Sequence, residues 1–153
     1  MGRGMPEMEG RETSQPGALQ LVGRTISATA LIEAQSRAPI AGQGITIPDT
    51  AVVILLGAIG CSRNQMQVLQ YWSRQPDRPH PVLAVYADYL MSEVAASHES
   101  LVLRRVSQAK IPFLVSSDTT LSPRVMNIRT PQVVLVESST ITQVLALPPV
   151  GRL

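Results

Sequence analysis

Two short unbroken apolar runs, Ala51–Leu56 and Val82–Tyr86, mark the chain's hydrophobic pattern. Both are too short for helices and neither alternates with polar residues. They are therefore predicted as strands buried on both faces of a sheet. Between them, Ser62 to about Arg74 sets Met66, Leu69 and Trp72 along one stripe of a helix. Gln75-Pro-Asp-Arg-Pro-His-Pro81 cannot continue that helix, because its prolines lack the N–H and fix φ. A second helix is predicted from Ser92 to Ala109. Ser92 is its N-cap, and Glu93 and Glu99 precede Arg104 and Arg105, the charge order that suits the helix dipole. Ile111–Val115 reads as a short strand. Ser122–Asn127 reads as one helical turn with Pro123 at its first position. Gln132–Glu137 is a strand, Ser138-Ser139 a tight turn, and Thr140–Leu147 the partner strand. Strand, helix, strand, helix and hairpin predict an α/β fold, parallel through the helices and antiparallel at the end.

The stretch ahead of these elements is less patterned. Residues 1–18 are polar and rich in Gly, Glu and Pro, and are read as a mobile arm. The domain is taken to run from 19 to 153. Within it, Leu19–Ile32 reads as an irregular strand or hairpin. Gln35–Pro48, with Pro39, Gly42, Gly44 and Pro48, reads as loop.

Composition narrows the function classes. With 153 residues, 44% of them hydrophobic and 16% charged, the chain fits one globular domain. Aromatics are 3%, so Val, Leu, Ile and Ala build the core and no base-stacking platform for nucleic acid is expected. Net charge is +2 and the arginines are scattered, with no cluster beyond Arg104-Arg105, which fits an ordinary solvated surface. No apolar run approaches the ~20 residues of a membrane span. Met1–Pro16 has no apolar core of the signal-peptide kind, so a cytoplasmic protein is expected. No His, Cys and carboxylate grouping has ligand spacing, and Gly42-Gln-Gly44 lacks the surrounding phosphate-loop pattern. Neither a metal nor another cofactor is expected. The sequence does not state an oligomeric state.

Candidate chemistry converges on Cys61, the chain's single cysteine. It follows Gly60 where the first strand pattern gives way to the helix pattern. A thiol there meets unpaired backbone N–H groups and the positive end of a helix dipole, and both favour the thiolate. The alternative is a small residue packed under the helix. A single cysteine forms no internal disulfide. Arg63 either adds positive potential or points into solvent. His80 and His98 read as surface histidines, and Asp88 and Asp118 as residues capping turns at strand ends.

A cysteine at the first strand-to-helix turn, in this order of elements, resembles the thioredoxin fold. The nearest branch is the redoxins, which include thiol–disulfide oxidoreductases and peroxidases of the alkyl-hydroperoxide-reductase type. Val52–Cys61 resembles the strand leading to the family's redox cysteine, and Val82–Asp88 its next strand with an acidic terminus. Ile111–Asp118 resembles the segment before a short helix. Thr130-Pro131 ahead of Val133–Val136 resembles the family's cis-proline and edge hairpin. The resemblance implies a three-layer thioredoxin-like α/β fold with a mixed central sheet. It also implies a substrate groove at Thr130 and Pro131, with Gly60 and Ser62 beside the cysteine. Protein or glutathione thiols and disulfides would be the partners.

The departures from the family are specific. Cys61-Ser-Arg-Asn64 lacks the resolving cysteine of Cys-x-x-Cys, so an intramolecular disulfide cycle is impossible. Leu55 stands where thioredoxins place a buried Asp. Ala58 stands where peroxidatic redoxins place Thr or Ser, which argues against a one-cysteine peroxidase. Two readings remain: monothiol disulfide exchange through Cys61, or a non-catalytic binding or assembly module on the same fold. Residues beyond Leu147 are too few for the family's final helix, so Leu19–Ile32 is expected to cover a sheet face with Leu21, Val22, Ile26, Leu31 and Ile32.

Overall fold

The computed structural model describes residues 16–27, 31–33, 46–57, 62–75, 78–87, 111–116 and 121–147. Outside the described residues lie the arm up to residue 15, most of the Gln35–Pro48 loop and the expected helix Ser92–Ala109. Gly60, Cys61, Ala58, His98, Asp88 and Asp118 lie outside them too.

The strands are β1 (Leu31–Glu33), β2 (Thr50–Leu56), β3 (Val82–Tyr86), β4 (Phe113–Ser116), β5 (Gln132–Glu137) and β6 (Thr140–Leu145). They form one six-stranded sheet in the order β1-β4-β3-β2-β5-β6. β2 pairs parallel with β3, and β3 parallel with β4. β1 is antiparallel to β4, β5 to β2, and β6 to β5. The sheet is therefore mixed, and β2 and β3 are adjacent and parallel at its centre, as their unbroken apolar runs predict.

Alternation along the strands divides the core into two layers. Val52, Ile54, Leu56, Val82, Ala84, Tyr86, Phe113, Val115 and Val133 form one, with Val68 and Leu69 of helix α1 (Ser62–Ser73). Val53, Leu55, Leu83, Val85, Leu114, Val134 and Val136 form the other. That second face is covered by Met126 of the short helix α2 (Pro123–Met126), by Leu121 and Ile128 beside it, and by Leu21, Ile26 and Leu31. Three layers result: α1, the sheet, and α2 with the N-terminal segment.

The N-terminal segment differs from the strand or hairpin expected. Pro16–Leu21 is a 3-10 turn. It starts inside the stretch read as an arm, and Ala18 is buried there. Gly23, at φ +92°, reverses the chain after the turn and donates to the Ile141 carbonyl at 2.8 Å. Thr25 then bridges Thr140, so Gly23–Ile26 runs along the outer edge of β6 at its start. Leu21, Ile26 and Leu31 are buried as expected of a covering segment, whereas Val22 is 45% exposed. In a 3-10 turn residues three apart stand above one another, so Val22 follows Leu19 outward.

Local chemistry explains the remaining boundaries. Ser122 caps α2, its hydroxyl accepting from the Val125 N–H, with Pro123 at the first helical position. Asn127 ends it at φ 57°, a conformation Asn tolerates better than most residues. The β5–β6 turn holds Ser138 and Ser139 at φ 50° and 66°, the backbone of a two-residue hairpin that favours Asn-Gly. Arg78 reaches back to the Ser73 and Gln75 carbonyls at the end of α1, placing a cation at the negative end of the helix.

Replacing Ser139 by Gly removes the steric cost of a left-handed side chain and should stabilise the fold by ~1 kcal/mol in urea melts. Leu21→Ala should destabilise by about 2–5 kcal/mol in the same assay, because Leu21 is fully buried against the sheet.

Candidate functional site

β2 delivers the chain to the site. Its ladder with β3 continues one step past the strand, where the Ala87 N–H donates to the Leu56 carbonyl at 2.9 Å. Gly57 comes next, buried, at the point where the strand ends. A buried peptide without ladder partners costs about 1–3 kcal/mol per unmade bond. Here the side chain of Gln65 takes the place of a neighbouring strand. Its Oε1 accepts from the Gly57 N–H at 3.0 Å, and its Nε2 donates to the Gly57 carbonyl at 3.1 Å.

Gln65 lies in the first turn of α1 and is 0% exposed. The buried stripe of the helix is Gln65, Val68 and Leu69, with Met66 and Trp72 half-buried. The stripe expected from Met66, Leu69 and Trp72 does pack on the α1-side core, and it is widened to include Val68 and the polar Gln65. The signal was present in the sequence: Gln65 precedes Val68, Leu69 and Trp72 by three, four and seven positions, which is one face of a helix.

The third component arrives from far along the chain. The Thr130–Pro131 peptide is cis. Thr130 is 4% exposed, and its hydroxyl donates to the Gly57 carbonyl at 3.4 Å, a long hydrogen bond between residues 73 apart in sequence. The end of β2, the first turn of α1 and the segment entering β5 therefore meet on one residue, Gly57. Of the site residues expected from sequence, Thr130 and Pro131 are brought to this junction and are buried. Ser62 is the first residue of α1. Gly60 and Cys61 occupy the span between Gly57 and Ser62 and lie outside the described residues.

Electrostatically, the first turn of α1 carries no acidic residue. Its first N–H groups have no intrahelical acceptor, and its end bears a partial positive charge of roughly half a unit. Arg63 and Asn64 are exposed beside it. Leu55 is fully buried in the layer opposite α1. His80 is half-buried in the connection leading to β3. Among the described residues, no three His, Cys, Asp or Glu side chains group as metal ligands, and no helix is long and apolar enough to cross a membrane.

No family model matches the chain, and no curated protein matches it. Solved structures do resemble it. One is the N-terminal domain of PilB from Neisseria gonorrhoeae, 11% identical over 77% of this chain and 79% of that one, with a TM-score of 0.51. Another is an uncharacterized conserved protein from Geobacillus kaustophilus, 11% identical over 80% of this chain and 67% of that one, with a TM-score of 0.50. A domain of a possible thiol-disulfide isomerase from Cytophaga hutchinsonii gives 10% identity, 83% and 84% coverage and a TM-score of 0.49. At these identities the likeness is one of fold. The sheet order, the helix following the first central strand and the antiparallel hairpin at the end define a thioredoxin-like fold.

Gln65→Leu keeps the volume and removes both bonds to Gly57, and should cost about 2 kcal/mol in chemical denaturation. Gln65→Glu gives a sharper readout. A carboxylate can accept from the Gly57 N–H but cannot donate to the carbonyl, so the protonated acid is the form that fits. The folded-state pKa of the introduced carboxyl would then lie above the unfolded value of ~4.3. Its stabilising contribution is full below ~4.3 and is lost as pH rises through the folded pKa. The gap to wild type should therefore be widest at neutral pH and narrow on acidification. A gap that does not change with pH would show that the introduced side chain has left the junction.

Proposed function

We propose that this thioredoxin-like protein carries out thiol–disulfide exchange by a monothiol route through Cys61. The observation that supports it best is the junction at Gly57. Gln65 and Thr130 fix the strand end that leads into Cys61, and Ser62, the next residue, opens α1. A cysteine one residue ahead of a helix start whose first turn has no acidic residue is favoured as thiolate.

In the proposed cycle the Cys61 thiolate attacks one sulfur of a substrate disulfide. A new S–S bond to Cys61 forms, the substrate's S–S bond breaks, and the departing thiolate takes a proton from solvent. An external thiol such as glutathione, as a reducing cytoplasmic compartment would supply, then attacks the Cys61 sulfur as its thiolate. That step releases the second half of the substrate as a thiolate, which takes a proton from solvent, and leaves Cys61 as a mixed disulfide with glutathione. A second glutathione thiolate attacks the glutathione sulfur of that bond, so that oxidised glutathione forms and the Cys61 thiolate returns. In this reading Gly60 and Ser62 contact the substrate beside Cys61, while Thr130 and Pro131, buried at the junction, support that end of the sheet. Asn64, three residues after Cys61, has no sulfur to resolve the intermediate.

The test is the thiol pKa of Cys61, read from the pH dependence of alkylation. It should fall below the free value of ~8.5, and oxidised glutathione should form a mixed disulfide that Cys61→Ser abolishes. Reduction of insulin-type disulfides should be weak and should rise in Asn64→Cys. A pKa at or above the free value overturns the exchange reading and leaves a non-catalytic binding module.

A further inference from the structure

We propose that the acidic stretch Met5–Glu12 docks on a basic, apolar patch of its own domain, beside the 3-10 turn to which it is tethered. The patch lies on the sheet face opposite α1. Among the described residues the exposed large apolar side chains are Leu19, 69% exposed, Val125, 68%, and Val22, 45%. Leu19 belongs to the 3-10 turn, Val22 follows it directly, and Val125 belongs to α2. The two elements touch. Gln20 Nε2 donates to the Met126 carbonyl at 3.2 Å, and Leu21 and Met126 share the core layer beneath. These exposed side chains therefore gather on one face, whereas apolar residues scattered singly are ordinary on a surface.

Charge gives the patch a sign. Residues 16–27 and 121–136 contain Arg24, Arg124 and Arg129 and no acidic residue. Arg24 folds back onto the turn, its Nε donating to the Gln20 carbonyl at 2.9 Å, and Arg129 is exposed shortly after Met126. The fitting occupant is acidic and apolar at once. Met5-Pro-Glu-Met-Glu-Gly-Arg-Glu12 is both. Glu7, Glu9 and Glu12 stand against Arg11 alone, and Met5 and Met8 are adaptable apolar side chains. This stretch lies outside the described residues and is joined to Pro16 through Thr13-Ser14-Gln15. Three residues span at most ~10 Å, and Leu19 lies about 6 Å along the 3-10 turn from Pro16. A tether this short holds the stretch at an effective concentration on the order of millimolar, which an untethered acidic partner would have to overcome. A second copy offering the same patch would set arginine against arginine.

Paramagnetic broadening in the full chain tests this, independently of any thiol chemistry. A nitroxide is attached at Met8→Cys in a Cys61→Ser background, which leaves the label one attachment point. The methyl resonances of Leu19, Val22 and Val125 should broaden several-fold more than those of Leu135 and Leu145 on the α1 face. The excess should fall in about 1 M salt, where the screening length is ~3 Å, and when Glu7, Glu9 and Glu12 are all changed to Gln. Those glutamine variants leave the domain's own residues unchanged. Arg124→Glu with Arg129→Glu, checked by circular dichroism to keep the wild-type spectrum, should abolish the excess. Glu7→Arg with Glu9→Arg should restore it in that background. Broadening that is absent, or equal on both faces, overturns the inference, because the stretch then has no seat on this patch. An excess that survives loss of the three glutamates overturns it too, because charge then selects nothing. So does broadening that passes to an isotope-labelled, nitroxide-free chain mixed with the first, because the occupant then comes from a second copy.

Discussion

The paired amide of Gln65 with the Gly57 peptide is the constraint on which the site depends. A parallel strand that leaves its sheet must part from its ladder, and Gly57 is where β2 does so while still buried. An interior peptide left without partners would pull the chain back toward water. Gln65 satisfies both of its groups at 3.0 and 3.1 Å, and in doing so sets the rotation of α1 about its axis. Val68 and Leu69 then face the sheet, and Arg63 and Asn64 face solvent. The Thr130 hydroxyl on the same carbonyl draws the start of β5 to that point. Local pairing, helix packing and the approach of a distant segment thus converge at the end of β2 on Gly57.

The rest of the molecule supplies the rigidity this junction needs. β2 lies between β3 and β5 with both faces covered, so its end is placed by two ladders and two apolar layers. The N-terminal segment is part of that frame. By burying Leu21, Ile26 and Leu31 it closes the face opposite α1, and by bridging Thr140 it shields the start of the hairpin edge.

How much of this the sequence revealed depended on the kind of signal each element carries. β2 and β3 were legible because a run apolar at every position has few structures open to it. The Ser138–Ser139 turn and the helical turn opening at Pro123 were legible from residue chemistry. The 3-10 turn at Pro16–Leu21 was not, because six residues in a polar setting show no period. The helix was found, and Met66, Leu69 and Trp72 pack on the α1-side core as expected, but the inward face also takes in Gln65 and Val68. Hydrophobicity alone places Gln65 outside; its spacing to Val68, Leu69 and Trp72 puts it on the inward face, but the Gly57 partner that satisfies it there is displayed by no linear pattern. Thr130 and Pro131 entered through family resemblance, while their tie to Gly57 is a contact across 73 residues that composition and spacing do not encode.

The two departures from dithiol chemistry sit in different environments, so their consequences are separable. Leu55 is sealed in the apolar layer opposite α1. An ionisable group there would bear the full cost of desolvation, whereas Leu55 adds to the core. Asn64 is on the exposed side of the first turn of α1, where side chains are least constrained by packing. A thiol at position 64 could exchange its proton with water without help from position 55. A substitution at position 64 would therefore change the surface of the helix start, whereas one at position 55 would change the core.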